Sequence, residues 1–190
     1  MLKSIHLKNF FSFNDEKIEL HPEINIFIGI NGSGKSNFLN AIRLIKEGIT
    51  GKGYKEFINS DLGGFNAIYN FTNTGNLAIE LIFEFDSGKL SELGYYFERN
   101  LFYHLYIKRS ASSQNYYLKE RIFQEPKHGF SKDWIWLEIE NGTGVASEKD
   151  DESDNQKLIK YDSLDGQESA LKTISDPNRY SALYALRNAI

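Results

Sequence analysis

The 190-residue chain is predicted to fold as an α/β protein on three observations. A short apolar run, Glu23-Ile24-Asn25-Ile26-Phe27-Ile28, leads into a glycine loop and then into an amphipathic helix. Two alternating segments before that run read as an antiparallel hairpin. Further alternating segments fill the middle of the chain without intervening helices, so the middle is an antiparallel β region and not a succession of β-α-β crossovers.

The glycine loop is the most informative element. Gly29-Ile30-Asn31-Gly32-Ser33-Gly34-Lys35-Ser36 fits G-x-x-x-x-G-K-[ST], the phosphate-binding P-loop, and it stands in the required order of strand, loop and helix. Backbone amides at a helix N-terminus are unpaired and carry the positive end of the helix dipole, which makes an anion cradle. Gly29, Gly32 and Gly34 allow the turn and the close approach to phosphate. Lys35 is expected to bridge the β and γ phosphates of a nucleoside triphosphate, and the Ser36 hydroxyl to ligate Mg²⁺.

The elements follow in order. Leu2 to Lys8 and Lys17 to Leu20 alternate at Ile5/Leu7 and Ile18/Leu20, with a turn expected around Asn14-Asp15. Glu23 to Ile28 is expected to be a buried strand. Asn37 to Glu47 places Phe38, Leu39, Ile42 and Ile45 at helical spacing, and Gly48 to Gly64 reads as a loop with at most one helical turn. Ala78 to Phe85 puts Ile79, Leu81, Phe83 and Phe85 on one face and Glu80 and Glu84 on the other; Tyr103 to Lys108, Tyr116 to Phe123, Trp134 to Glu140 and the stretch near Lys157 to Tyr161 continue the pattern. Asp86-Ser87-Gly88 and Ser110 to Gln114 supply turns, and Pro126 to Ser131 a longer connection.

Ser147 to Asn155 carries Glu148, Asp150, Asp151, Glu152 and Asp154 with no large apolar residue, and reads as a mobile acidic loop. It lacks the glycine and terminal glutamate of a calcium loop. Asp165 with Glu168 resembles a capping box opening a helix through Ala170, Leu171 and Ile174. Asp176 before Pro177 is a second start signal, for a helix with Leu183, Leu186 and Ile190 on its apolar face.

Net charge of -4 and a pI near 5.6 exclude a surface that is basic throughout. The chain has no cysteine, hence no disulfide and no thiolate metal site. Met1 to Lys8 is unlike a signal peptide, and no run approaches the ~18 apolar residues of a membrane span, so a soluble, cytoplasmic protein without a membrane partner is expected.

The first quarter of the chain resembles RecF/SMC-like members of the ABC-type ATPase class, a group that includes OLD-family and related AAA ATPases. The matching residues are Ile5-His6-Leu7-Lys8-Asn9-Phe10-Phe11-Ser12-Phe13, His21-Pro22-Glu23-Ile24-Asn25, and Gly29 through Asn37. Asn31 and Asn37 are characteristic of this branch and join Gly32, Ser33, Gly34, Lys35 and Ser36 as the residues expected to hold ATP. Ser175 to Tyr180 with Leu183 and Leu186 looks like a later segment of such proteins.

The resemblance implies a P-loop NTPase of ABC type, with the hairpin, P-loop strand and helix in residues 1–50, an antiparallel β subdomain in 65–161 and the start of a helical region in 165–190. It also implies two heads closing around two ATP molecules, as a homodimer or with a second head, in the service of DNA transactions or of an effector such as a nuclease. DNA repair, chromosome maintenance and antiviral defence are the processes such proteins serve. Gln167, after a strand and at a helix start, is the candidate for the glutamine that senses Mg²⁺ and the γ phosphate, with Lys35 as the other catalytic residue.

Departures from the family pattern are informative. Phe11 stands where many relatives have a basic residue. No Walker B strand ending in Asp-Glu, no Leu-Ser-Gly-Gly-Gln-like signature and no switch histidine can be placed. Leu81 to Asp86 alternates as a half-exposed strand would, Leu62-Gly63-Gly64 comes too early for a signature, and Asp61-Leu62-Gly63-Gly64 fits D-x-x-G without a guanine-reading Asn-Lys-x-Asp, so ATP is preferred to GTP. The chain therefore reads as the N-terminal half of a split ATPase head, ending before the helical subdomain and the Walker B half. A self-contained small P-loop kinase and a nucleotide-gated assembly module are the alternatives. Arg99, His104, Lys108, Arg109, Lys119 and Arg121, among Tyr103, Tyr106, Tyr116 and Tyr117, suit either nucleic acid or a solvated sheet face, with Glu98, Glu120 and Glu125 diluting the charge.

Overall fold

The computed structural model describes residues 2–72, 78–110, 115–129, 131–148, 157–174 and 176–190. Eight strands form one sheet: β1 (Leu2–Phe10), β2 (Phe13–Glu19), β3 (Ala78–Phe85), β4 (Leu101–Arg109), β5 (Tyr116–Gln124), β6 (Trp134–Glu140), β7 (Thr143–Glu148) and β8 (Lys157–Tyr161). Their order is β2-β1-β3-β4-β5-β6-β7-β8, and all seven neighbouring pairs are antiparallel.

The register explains why the sheet has two unlike faces. Ile18, Ile5, Phe83, Tyr103, Ile122, Leu137, Ala146 and Ile159 lie opposite one another in a single row across all eight strands. One residue along, on the other face, the row is Lys17, His6, Ile82, His104, Arg121, Glu138, Val145 and Lys160. Period-2 alternation thus sends apolar side chains to the core and charged ones outward.

The cations of the outer face are mostly matched by acids: Lys108 meets Glu140 at 2.7 Å, Lys119 meets Glu138 at 3.0 Å, and Arg121 meets Asp133 at 2.8 Å. Tyr103 is fully buried. Lys108, Lys119 and Arg121 therefore belong to a solvated, ion-paired face and Tyr103 to the opposite core, which is the plainer of the two readings for these four residues.

Helix α1 (Lys35–Ile49) lies over the apolar face. It buries Phe38, Ala41, Leu44, Ile45, Gly48 and Ile49, whereas Leu39 is 54% exposed, so the buried stripe is rotated from the one the spacing predicts. Gly48 is required: a Cβ there would lie 2.1 Å from the Tyr54 ring.

The stretch after α1 is more helical than expected. A turn of α2 (Tyr54–Glu56) runs into a π-helical turn at Phe57–Asp61, and α3 (Phe65–Ile68) follows. Tyr54, Phe57, Ile58, Phe65 and Ile68 are all buried, so packing against α1 and the sheet outweighs the local glycine content. Lys52 pairs with Asp61, a salt bridge that gives the Asp-x-x-Gly stretch a structural partner.

Other boundaries shift for local reasons. The β1–β2 turn is Phe11-Ser12, closed by the Phe10–Phe13 pair, and Asn14 and Asp15 lie inside β2. Asp86 is an N-cap, accepting from the Lys89 amide at 2.9 Å, so α4 (Ser87–Glu92) stands where a turn was expected and Asp86 is used structurally. Strand β7 was not anticipated and takes up Ser147 and Glu148; the rest of the acidic stretch lies outside the described residues, as do four of the five residues of the 110–114 turn.

Ser169, not Asp165, caps α5 (Ala170–Thr173), accepting from the Leu171 amide at 3.2 Å. Asp165 instead accepts from the Gln167 amide at 2.9 Å. Helix α6 (Ser181–Ala189) begins four residues after Pro177 and buries Leu183 and Leu186.

Two carboxylates are buried within the sheet. Glu120 occupies the core-facing row between Leu105 and Ile139. Its Oε1 accepts from the Tyr103 hydroxyl and the Ser169 hydroxyl, each at 2.6 Å, and its Oε2 accepts from the Ala170 amide at 2.6 Å. Tyr54 in turn donates to the Tyr103 oxygen at 2.8 Å, so one network joins the chain after α1 to β4, β5 and α5. Burial raises Glu120 above the usual carboxylate range against the pull of these three donors. Glu84, with donors from Lys3, Ser4 and Asn100 at 2.8–2.9 Å, goes the other way: burial alone would raise it, and the donors bring it below the usual range.

Candidate nucleotide site

The glycine loop reaches α1 through two left-handed residues, Gly32 at φ 84° and Gly34 at φ 92°. Gly34 is the N-cap of α1, and no side chain caps the helix. The first-turn amides are therefore left for an outside acceptor, the local condition for holding a phosphate. A Cβ on Gly34 would also lie 3.0 Å from Ser12 Oγ, and one on Gly29 only 2.7 Å from Ser33 Oγ.

Lys35 curls back over the loop. Its Nζ donates to the Gly29 carbonyl at 2.7 Å, the Ile30 carbonyl at 2.8 Å and Ser33 Oγ at 3.2 Å. The ammonium thereby ties the start of the loop to its middle and to the first residue of α1. Among the described residues no carboxylate forms an ion pair with Lys35, so its charge is available to an anionic ligand. Asn31, Gly32, Ser33 and Ser36 are exposed. Asn37 donates to Ser12 Oγ at 3.0 Å, anchoring the first turn of α1 to the β1–β2 turn. Ser12 is a supporting residue that the sequence reading missed; its signal was the two-residue break between alternating strands.

The P-loop strand differs from expectation. Residues 21–30 form no strand, and the isoleucines predicted to be buried point into solvent: Ile24 is 73% exposed, Ile26 78% and Ile28 93%, and Ile30 of the loop is 83% exposed. Phe27 alone turns inward, meeting Phe38 of α1 with ring centroids 4.5 Å apart. The alternation is that of a strand, but a strand is buried only when neighbours flank it, and none of the eight described strands pairs with this segment.

Gln167 is not brought to the loop. Its Nε2 donates to the Tyr116 carbonyl at 3.0 Å, and it lines a polar cavity of about 430 Å³ with Lys55, Asn59, Asn66 and Tyr116. Tyr116 lies at the same end of the sheet as the Phe10–Phe13 turn, but β4 and β3 stand between β5 and β1, a lateral separation of about 14 Å. Lys35, Ser36 and residues 31–37 thus form one constellation, and Gln167 stands beside it at the same sheet end.

The model of the AAA ATPase domain family matches residues 1–185. A protein named DNA replication and repair protein RecF from Lactococcus lactis subsp. cremoris (strain MG1363) is 50% identical over 44 residues, 23% of this chain and 12% of that protein. Proteins of the same name from Clostridium botulinum (strain Loch Maree / Type A3) and Thermoanaerobacter sp. (strain X514) are 49% identical over 41 residues and 43% identical over 54 residues, covering 22% and 28% of this chain and 11% and 15% of theirs. The chain thus matches only a small part of the length of these curated relatives. With the family model spanning nearly the whole chain, the chain belongs to the AAA ATPase domain family, in its RecF/SMC-like, ABC-type branch.

Proposed function

We propose that the chain binds Mg·ATP at Gly29–Ser36 and contributes one half of an ATP-hydrolysing site. The observation that carries this reading is the uncapped N-terminus of α1 behind two left-handed glycines, with Lys35 folded over the loop and free of any carboxylate among the described residues. Lys35 and the first-turn amides of α1 hold the β and γ phosphates, and the Ser36 hydroxyl holds Mg²⁺. Mg²⁺, when bound, neutralises charge on the β and γ oxygens. Asn31 and Asn37 flank the loop, and Gln167 reaches the γ phosphate only if the turn carrying it moves toward α1.

Hydrolysis also needs a carboxylate or its equivalent to orient water. Ser36 is exposed, and none of the ion pairs among the described residues brings an acid to Lys35. The isoleucine ladder at 24, 26, 28 and 30 supports completion of the site by a strand from outside these 190 residues, with a second head, in the same chain or a homodimer, closing the nucleotide between them. DNA repair is the process favoured by the names of the relatives; chromosome maintenance and antiviral defence are further settings for such a head, and DNA or an effector nuclease are its partners in this reading. A nucleotide-gated assembly role is the second reading, favoured by the same exposed ladder. The kinase alternative is disfavoured by the wholly antiparallel sheet.

The test is ATP affinity and turnover in one preparation. The chain should bind Mg·ATP and hydrolyse it very slowly, and Lys35→Ala should abolish binding. Unchanged affinity in Lys35→Ala overturns the loop assignment, and brisk turnover by the verified 190-residue chain overturns the half-site reading.

A further inference from the structure

The opposite end of the sheet carries a second, different cavity. About 370 Å³ of space opens between residues 96–99 and the ends of β5 and β6. The turn that touches the glycine loop lies at the Arg109 end of β4, whereas this cavity lies beyond Leu101, the other end of the strand. The length of β4, about 27 Å, separates the two, so a nucleotide on the loop does not reach here.

The walls are aromatic. Tyr96, Phe97, Trp134 and Trp136 line the space. Trp136 meets Trp134 and Phe97 edge to face, with centroids 6.0 and 6.2 Å apart and interplanar angles of 63° and 85°. The three rings do not stack on one another in parallel, and Tyr96 is 85% exposed at the rim. Flat apolar surface is thereby left over for a flat partner.

The polar lining offers donors and almost no acceptor. Arg99, Lys127 and Lys132 face one acid, Glu98, which Lys127 already pairs at 2.7 Å. Gln124 is used on both sides, its amide donating to the Arg99 carbonyl at 2.7 Å and its oxygen accepting from Trp136 Nε1 at 3.3 Å. Arg99 Nε and Nη1 and Trp134 Nε1 are out of water with no hydrogen-bond acceptor among the described residues. Buried donors of this kind call for an acceptor, and a guanidinium is best matched by a phosphate or carboxylate.

We propose that this cavity binds a nucleotide, its base against the tryptophan rings and its phosphate at Arg99. An anion joined to a planar ring is the chemistry that both halves of the lining lack. The volume is near the lower limit for ligand cavities and suits one nucleotide, whose base must be unpaired to enter. The ligand is therefore either a free mononucleotide or an unpaired nucleotide of a strand; aromatic stacking accepts any base, and the cations make binding salt-dependent. This site is independent of the ATP reading.

The chain's two tryptophans both line this cavity, so tryptophan emission reports on it directly, while the glycine loop contains none. Titration of the 190-residue chain with thymidine monophosphate and with an eight-residue oligothymidylate should give saturable quenching with at least one of them. Affinity should fall at least tenfold in Arg99→Ala and also fall in Lys132→Glu, a rim substitution that spares the buried network, with Mg·ATP binding retained in both. Equal occupancy by both probes per nucleotide assigns a free nucleotide, and quenching by the oligomer alone assigns an unpaired strand. No saturable quenching by either probe, unaltered affinity in both variants, or equal binding of thymidine or of p-hydroxyphenylacetate overturns the proposal.

Discussion

Glu120 and Glu84 show how one residue type in one sheet takes two electrostatic roles. Glu120 shares parity with Tyr116, Leu118 and Ile122 along β5, so the alternation that identified the strand already placed it on the core face; its charge made it look exposed. Glu120→Gln replaces an acceptor with an amide opposite the Ala170 N–H and is expected to destabilise the chain by about 1–3 kcal/mol, measured by urea unfolding. The two acids have opposite pH signatures. Glu84, held below its ordinary value once its donors outweigh burial, contributes stability that is present above about pH 4.3 and is lost as pH falls through its lowered value. Glu120, raised by burial, contributes stability that is full below that pH and declines as pH rises through its raised value. Glu84→Gln should therefore flatten the acid limb of the stability profile, whereas Glu120→Gln should flatten the rise toward the acid side; unfolding curves between pH 3 and 8 separate the two.

At the scale of elements, strands were more legible than their surroundings. β3, β5, β6 and β8 stand where alternation placed them, because period-2 patterning is written into a two-faced sheet residue by residue. The helical turns at 54–61 were hidden by flanking glycines, although Tyr54, Phe57 and Ile58 have helical spacing. The segment at 24–30 failed for another reason: its pattern is a strand's, but burial depends on neighbours that its own residues do not encode. Ile28→Glu is accordingly expected to change the stability of the 190-residue chain by less than about 0.5 kcal/mol, as for an exposed site, whereas Phe27→Ala, which removes the contact with Phe38, should cost more than that. A large loss in Ile28→Glu would show that the ladder is covered in solution. Gly34→Ala, forced to φ 92° and against Ser12, should cost about 1–2 kcal/mol and weaken ATP binding in proportion to the loop it distorts.

For the whole molecule, the loop sits at one end of a sheet whose core-facing row is buried from β1 through β7 and half-buried at the edge strands β2 and β8, so a phosphate held by the loop would be coupled to the core through α1. The loop was legible from a local motif; the displacement of Gln167 was not, because it depends on how many strands intervene between β5 and β1. A ligand that binds only the folded chain stabilises it by RT ln(1 + [L]/Kd), about 2.7 kcal/mol at a hundred times Kd. For a chain of this size that corresponds to a rise in Tm of roughly 5–10 °C. Mg·ATP should produce that shift, and Lys35→Ala should remove it while keeping the nucleotide-free Tm close to that of the parent chain, since among the described residues Lys35 bonds only to the exposed loop it closes. Gln167→Ala gives the discriminating result. If Gln167 keeps its partnership with Tyr116 when ATP binds, the Mg·ATP shift is unchanged; if its turn moves to the γ phosphate, the shift shrinks with Mg·ATP and not with Mg·ADP, which lacks that phosphate.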